Sequence, residues 1–326
     1  MAMTDNEPIP SVRGVNSWYS DDGAGIFRRG RKKQVLHDIS LTIRDDEFFG
    51  LVGESGCGKS TLANCILGLQ PCEGEILIEG QKRKKGDTKA FSSMVQAIFQ
   101  DPLSALDPSR TIFDSMREPL VTHGIGPKSV QEAKVADMLE AVGLDSTYMH
   151  RYPSELSGGQ RQRVCIGAAL MLQPRLVIAD EPVSALDVSI QAQILNLFRQ
   201  IDAGADFSML FISHNLQVVY YLCNRIAVMY RGRIVEMGTA DEVVKNPKHP
   251  YTKLLLASIP GAKREADSAE AVHRDLPRGE VPENGCPYYE RCPVASARCR
   301  LKPAPVLSPV PGAQGEHVCA CTGVMG

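Results

Sequence analysis

The chain has 326 residues, with 36 lysines and arginines against 38 aspartates and glutamates, for a formal charge of −2. That length supports a full core plus a smaller second unit, and the charge balance lacks the basic excess that would point to nucleic acid as a partner. The longest central apolar run, Val164 to Leu172, has nine residues, far short of the roughly 18 that a membrane span needs. Met1 to Pro10 is acidic and proline-containing, which reads as a flexible N-terminus and not as a secretion signal. A cytosolic protein is expected, with any membrane attachment made through a partner.

Residues 11 to 33 carry Trp18, Tyr19 and Phe27, then the basic run Arg28 to Lys33. The run reads as a solvated loop, with anionic lipid headgroups as a second reading. Phe27 or Tyr19 offers a ring on which a purine can stack. Val35 to Ile43 alternates apolar and polar residues, predicting a strand packed on one face. Asp45 to Glu47 turns the chain into a buried strand, Phe48 to Val52.

The next residues are Gly53, Glu54, Ser55, Gly56, Cys57, Gly58, Lys59 and Ser60, which fit G-x-x-x-x-G-K-[ST] without a mismatch. A helix is predicted over Thr61 to Leu69, stopped by Pro71. A strand, a glycine-rich turn and a helix N-terminus together form an anion site. The glycines let backbone N–H groups curl around phosphate oxygens, and the helix dipole adds partial positive charge. Lys59 supplies a full charge, and Ser60 is placed to bind magnesium.

Gly74 to Gly80 reads as a short strand and Val95 to Phe99 as another, ending at Gln100. From Asp101 to about Pro153 the pattern turns helical. Val135, Met138, Leu139 and Val142 share one helix face, and Gly143 stands where a helix end takes a left-handed residue. Ser157, Gly158, Gly159 and Gln160 then open an apolar helix (Val164 to Leu172), which is either a second anion site or an ordinary capped helix.

Leu176 to Ala179 reads as a strand buried on both faces, ending in Asp180 and Glu181. Asp180 suits magnesium, through water, and Glu181 suits orienting or polarising a water. Ser184 to Asp187 turns into a helix from Val188 to Ile201. Met209 to Ile212 is a further buried strand, followed by His214, a candidate sensor of the γ-phosphate.

In this order the residues resemble the ATPase subunit of an ATP-binding cassette (ABC) transporter, across about residues 10 to 260. The phosphate loop is Gly53 to Ser60 and the Q-loop glutamine is Gln100. The signature is Leu156 to Gln160, the Walker B strand runs from Leu176 to Asp180, and the D-loop from Ser184 to Asp187. His214 matches the switch histidine; Asn215 departs from the acid that usually follows it. Phe99 to Pro108, Pro182 to Ser189 and His249 to Leu255 are similar to segments of the dipeptide/oligopeptide (peptide/nickel) permease ATPases.

The resemblance implies an α/β P-loop NTPase fold, a RecA-like core with an antiparallel β subdomain and a helical insert at about 101–157. The ATPase domain is expected at 11–258 and a cysteine-rich extension at 259–326. ATP is expected on the Gly53 to Thr61 loop and on Phe27, with Ser157 to Gln160 capping a partner's nucleotide. Magnesium is expected on Ser60 and Gln100 with Asp180, and catalysis from Glu181, His214 and Gln100. The implied partners are a second ATPase, related or identical, two membrane-spanning permease subunits and an extracytoplasmic solute-binding protein. The implied location is the cytoplasmic face of the membrane.

Of ten cysteines, Cys286, Cys292, Cys299, Cys319 and Cys321 cluster in the tail, where a reducing cytosol favours metal binding over disulfides. Four thiolates suit tetrahedral zinc or a [4Fe–4S] cluster. The resemblance favours the cluster, on Cys286, Cys292, Cys299 and Cys319, with Cys321 as a substitute for Cys319. The nucleotide motifs all precede residue 215, which predicts that removing the tail spares the ATP site. Import of nickel chelates or oligosaccharides, or a soluble non-transport ATPase, are the alternatives to peptide uptake.

Overall fold

A computed structural model describes residues 8–20, 32–82, 88–202, 207–259, 285–300, 303–313, 315–321 and 323. In chain order its strands are β1 (Ser11–Ser20), β2 (Lys32–Thr42), β3 (Phe48–Val52), β4 (Glu73–Ile78), β5 (Gln81–Lys82), β6 (Val95–Ile98), β7 (Leu176–Asp180), β8 (Ser208–Ser213), β9 (Arg225–Tyr230), β10 (Arg233–Thr239), β11 (Ser308–Pro309) and β12 (Val318–Cys319). Its helices begin with α1 (Lys59–Leu67), α2 (Thr88–Met94), α3 (Pro102–Ala105), α4 (Ile112–His123) and α5 (Lys128–Ala141). They continue with α6 (Gly158–Leu170), α7 (Val188–Asp202), α8 (Leu216–Leu222), α9 (Ala240–Lys245) and α10 (Pro250–Ala257). The chain divides into two compact units, interleaved in sequence. One contains Thr42–Phe48 and Leu77–Ile212; the other contains Ser11–Leu41, Phe49–Ile76 and the described residues from Ser213 onward.

In the first unit, β6, β7 and β8 are parallel neighbours, with Val177 opposite both Gln96 and Met209. β8 is buried at every residue and β7 at all but its last, Asp180, as a strand covered on both faces requires. Phe198 of α7 meets the Phe211 ring edge-on at 6.1 Å. The insert packs α4, α5 and α6 together. Gly167 permits their closeness, since a Cβ there would lie 2.8 Å from Met116 Cε and 3.2 Å from Met138 Cγ. The predicted apolar face is the packed one: Val135, Leu139 and Val142 are fully buried. Gly143 ends the helix at φ 74°, with its N–H on Glu140 O at 2.9 Å.

In the second unit, β3 pairs parallel with β9, β10 pairs antiparallel with β9, and β12 adds antiparallel to β10. β11 completes that edge through Ser308 opposite Cys319. The tail after residue 285 is thus built into this unit's sheet. One buried carboxylate, Glu236 of β10, gathers the attachment. It accepts from the backbone N–H of Lys248 at 2.7 Å and of His249 at 2.9 Å, and pairs with His317 Nε2 at 2.7 Å.

Candidate functional site

The phosphate loop belongs to the second unit. β3 is buried along its whole length and delivers the chain to Gly53, where a Cβ would lie 2.2 Å from the Met229 carbonyl oxygen. Only glycine lets the turn start that close to β9. Gly56 and Gly58 have φ of 77° and 112°, the left-handed region where glycine is at home. The space above Gly56 is open, with no atom within 4 Å of a Cβ built there. Gly58 is the N-cap of α1 and brings no side-chain cap, and the first turn holds no acid. An anion is therefore the natural complement of these N–H groups.

Lys59 is 4% exposed, and its Nζ donates to Gly53 O at 2.8 Å and Glu54 O at 3.1 Å. The loop's own carbonyls thus aim the ammonium. Ser60 is exposed and Thr61 buried. Cys57 is a packing residue, since burial pushes its thiol above the usual range despite the neighbouring Lys59. These features fit a polyphosphate with a divalent cation. Helix α1 begins at Lys59, two residues before its expected start, and Gly68, not Pro71, ends it, with φ 70°.

Phe27 lies outside the described residues. The other aromatic candidate, Tyr19 at the end of β1, is 43% exposed, and its hydroxyl lies 3.3 Å from Thr61 Oγ1 in the first turn of α1. The loop also touches residues that the sequence placed elsewhere. Glu54 N–H donates to the Tyr251 hydroxyl at 2.8 Å, and the Glu54 carboxylate pairs with both terminal nitrogens of Arg291, at 2.9 and 3.1 Å. No local signal marks Arg291, because its partner is 237 residues away.

His214 is exposed just after β8. Asn215 caps α8 by accepting from Gln217 N–H at 2.9 Å, a task that asparagine performs as well as aspartate. The departure at this position therefore leaves the local structure intact.

In the first unit, Gln100 is exposed just beyond β6. Asp180 ends β7, and Glu181 follows at φ 48°, its N–H on Ile212 O at 2.9 Å. A left-handed glutamate is strained, and such strain gathers at functional sites. Ser184 ties the turn down by donating its hydroxyl to Glu181 O at 3.0 Å. Asp187 caps α7, and the Ile190 N–H and Ser189 hydroxyl hold its carboxyl below the usual range.

The signature forms a complete capping box. Ser157 Oγ accepts from Gln160 N–H at 3.3 Å, and Gln160 Oε1 accepts from Ser157 N–H at 2.9 Å. Gly158 is exposed, whereas Gly159 is buried, with a Cβ there lying 2.5 Å from Ile190 Cγ2 on α7. Helix α6 begins at Gly158, well before the apolar run at Val164.

The expected iron–sulfur centre is corrected by the structure. Among the described residues, no group of three or more His, Cys, Asp or Glu side chains is placed to hold a metal ion. Cys286, Cys292, Cys299 and Cys321 line a cavity of about 10 Å³, room for one water and not for a cluster. Cys319 is committed elsewhere, fully buried on β12 opposite Glu236. Burial also pushes the thiols up, Cys286 to about 11.

Residues 36–184 match the family model for the ABC transporter, and residues 235–299 match that for the C-terminal region of oligopeptide/dipeptide transporters. Over 308 residues the chain is 39% identical to the oligopeptide transport ATP-binding protein AppF of Bacillus subtilis, covering 92% of this chain and 94% of that one. The chain belongs to the ABC transporter family. It is an ATP-binding subunit of the oligopeptide/dipeptide branch, an ATPase coupled to transport. It is also 40% identical to the di/tripeptide transport ATP-binding protein DppF of Pseudomonas aeruginosa, over 90% of this chain and 92% of that one. Among solved structures it resembles the ATP-binding cassette MJ0796, a dimer in a post-hydrolysis state with ADP and Pi. The TM-score is 0.62 and the identity 26%, over 71% of this chain and 98% of that one. ATP and magnesium are the standard ligands of such subunits, and their partners are a second cassette and membrane permeases.

Proposed function

We propose that this ATPase powers uptake of di- and oligopeptides through an importer, by ATP-driven closure of two cassettes. The observation that carries the reading is the phosphate loop itself: an uncapped helix N-terminus, open space above Gly56 and a buried, carbonyl-aimed Lys59. The names of the relatives support peptides as the cargo.

In this reading the amides of Gly53 to Thr61 and the Lys59 ammonium bind the ATP phosphates. The ring that stacks on adenine is Tyr19, which the Thr61 contact favours over Phe27. Ser60, Gln100 and Asp180 are the residues that would hold magnesium, and the ion would supply charge neutralisation on the phosphate oxygens. Glu181 accepts the proton of the attacking water, and His214 reports on the terminal phosphate. Ser157, Gly158, Gly159 and Gln160 offer their helix N-terminus to the nucleotide of a partner cassette.

The permeases would rest on the helical insert, where Phe99, Leu106, Arg110, Glu118 and Pro119 line a groove of about 590 Å³. Gln100, one residue beyond Phe99, would carry nucleotide state to that groove. The second cassette is a paralogue or another copy, and an extracytoplasmic binding protein delivers the solute. The subunit sits at the cytoplasmic face as a peripheral protein; no helix among the described residues is long and apolar enough to span a membrane. The residues after 258 form the branch's C-terminal extension, in which the described residues bring together no metal centre.

The test uses the assembled transporter in vesicles. Glu181→Gln should bind ATP normally while turnover and peptide uptake fall by about 10²- to 10⁴-fold. Turnover within a few-fold of the parent would remove Glu181 from its role. A transporter that imports none of a panel of di- to pentapeptides would remove peptides as the cargo.

A further inference from the structure

Glu54, the second residue of the phosphate loop, is held by all its polar groups. Its N–H meets Tyr251 Oη at 2.8 Å, its carbonyl accepts from Lys59 Nζ at 3.1 Å, and its carboxylate takes the Arg291 fork at 2.9 and 3.1 Å. Arg291 comes from the cysteine-rich tail, and its side chain is 5% exposed. Its guanidinium lies 6.0 Å from the Tyr230 ring centre and 5.9 Å from that of Tyr288. Those two rings also pack on Tyr251, at 4.6 and 5.5 Å. One aromatic nest therefore carries both side chains that grip Glu54.

We propose that Arg291 is a positioning residue for nucleotide binding: through Glu54 it fixes the carbonyl that aims Lys59, making the tail part of the ATP site. Three features support this. A two-point guanidinium–carboxylate pair fixes orientation as well as distance, which a lysine in its place would not do. A charge buried among tyrosines is expensive, and a merely structural contact is served as well by apolar residues. Here the charge is kept, and its partner is the loop. Finally, the tail does not depend on Arg291 for attachment, because β12 on β10 and the His317–Glu236 pair already secure it. The pair is thus a second, separable tie, and it ends on the loop that holds the phosphates.

This inference rests on the ATP-site reading, and the experiment separates the two. Mg-ATP affinity and the KM and kcat of hydrolysis are measured on the assembled transporter carrying Arg291→Met, Arg291→Lys, Glu54→Gln, or Arg291→Met with Glu54→Gln. Arg291→Met should raise Kd and KM for ATP on the order of tenfold, with kcat at saturation nearly unchanged. Glu54→Gln should match it, the double variant should lose no more than either single, and Arg291→Lys should fall between. In the unsubstituted protein, Mg-ATP should slow amide exchange over residues 286–292, because coupling between the two sites is reciprocal. That readout stands even where a variant fails to fold. Unchanged ATP affinity in Arg291→Met, losses that add in the double variant, or tail exchange indifferent to Mg-ATP would each overturn the proposal. Failure of the unsubstituted protein to bind ATP would instead overturn the ATP-site reading.

Discussion

Two helices of this chain open on glycine-rich turns, and they treat their first amides differently. Helix α1 starts from Gly58, which offers no side-chain cap, beside an open space over Gly56. Helix α6 starts from Ser157, whose hydroxyl and backbone are already exchanged with Gln160. The first end is incomplete without an anion. The second already has its Ser157 and Gln160 amides satisfied and leaves a ligand the first-turn amides of Gly158 and Gly159, with Ser157 and Gly158 exposed. Sequence likeness between helix starts thus conceals a difference in need, and the difference is what the proposed function asks for: a loop that would bind nucleotide alone and a signature that would wait for a partner's.

The largest effect that tests this contrast comes from the open end. Lys59→Ala should weaken Mg-ATP binding to the isolated subunit by about 100-fold or more, as losing a preorganised charge does elsewhere; equilibrium titration with ATP measures it. A smaller effect comes from the closed end. Ser157→Ala should cost about 1 kcal/mol of stability through the lost cap, seen as a lower Tm, while leaving ATP affinity of the isolated subunit unchanged and impairing turnover in the assembled transporter. Weakened ATP binding by the isolated Ser157→Ala subunit would collapse the distinction between the two ends.

The smallest effect is pH dependence, and it falls in the unit that holds the phosphate loop. Burial lowers the pKa of His249 to about 4 against the opposing pull of Glu236; burial, then Arg233 and Arg231, lowers that of His37 to about 4. His249 Nδ1 must stay unprotonated to accept from Tyr251 N–H at 3.1 Å. Both groups bind protons more readily unfolded, where the pKa is near 6.5. Their neutral-state contribution is whole above that value and is eroded as pH falls from about 6.5 towards 4. Urea midpoints between pH 7 and pH 4.5 should decline, and replacing His249 by Asn, which keeps a capping acceptor, should flatten part of that decline.

Much of the nucleotide machinery was legible because it is local. The β3–loop–α1 run, the apolar β7 ending in Asp180 and the glycine end of α5 each need only neighbouring residues to be recognised. Strand β1 escaped because Gly14, at φ 58°, interrupts the alternation, so that Ser11, Val12, Val15 and Ser17 are the buried residues. The first turns of α6 escaped because Arg161, Gln162 and Arg163 look exposed, yet Gln162 is fully buried. The tail misled most. Five thiols suggested a metal, while strand pairing of Cys319 and a cavity of about 10 Å³ leave the others to pack. The tail's residue with a tie to the loop is Arg291, whose significance appears only when Glu54 is beside it.

Glu236 carries a consequence for any shortened form of this protein. Its carboxylate sits in a dry interior and waits for His317, close to the end of the chain. A chain lacking residue 317 would leave this buried carboxylate with only the Lys248 and His249 backbone N–H groups as partners. Such a fragment keeps every nucleotide motif yet would be unstable. The contact between β10 and residue 317 is thereby one on which the buried carboxylate of this sheet depends.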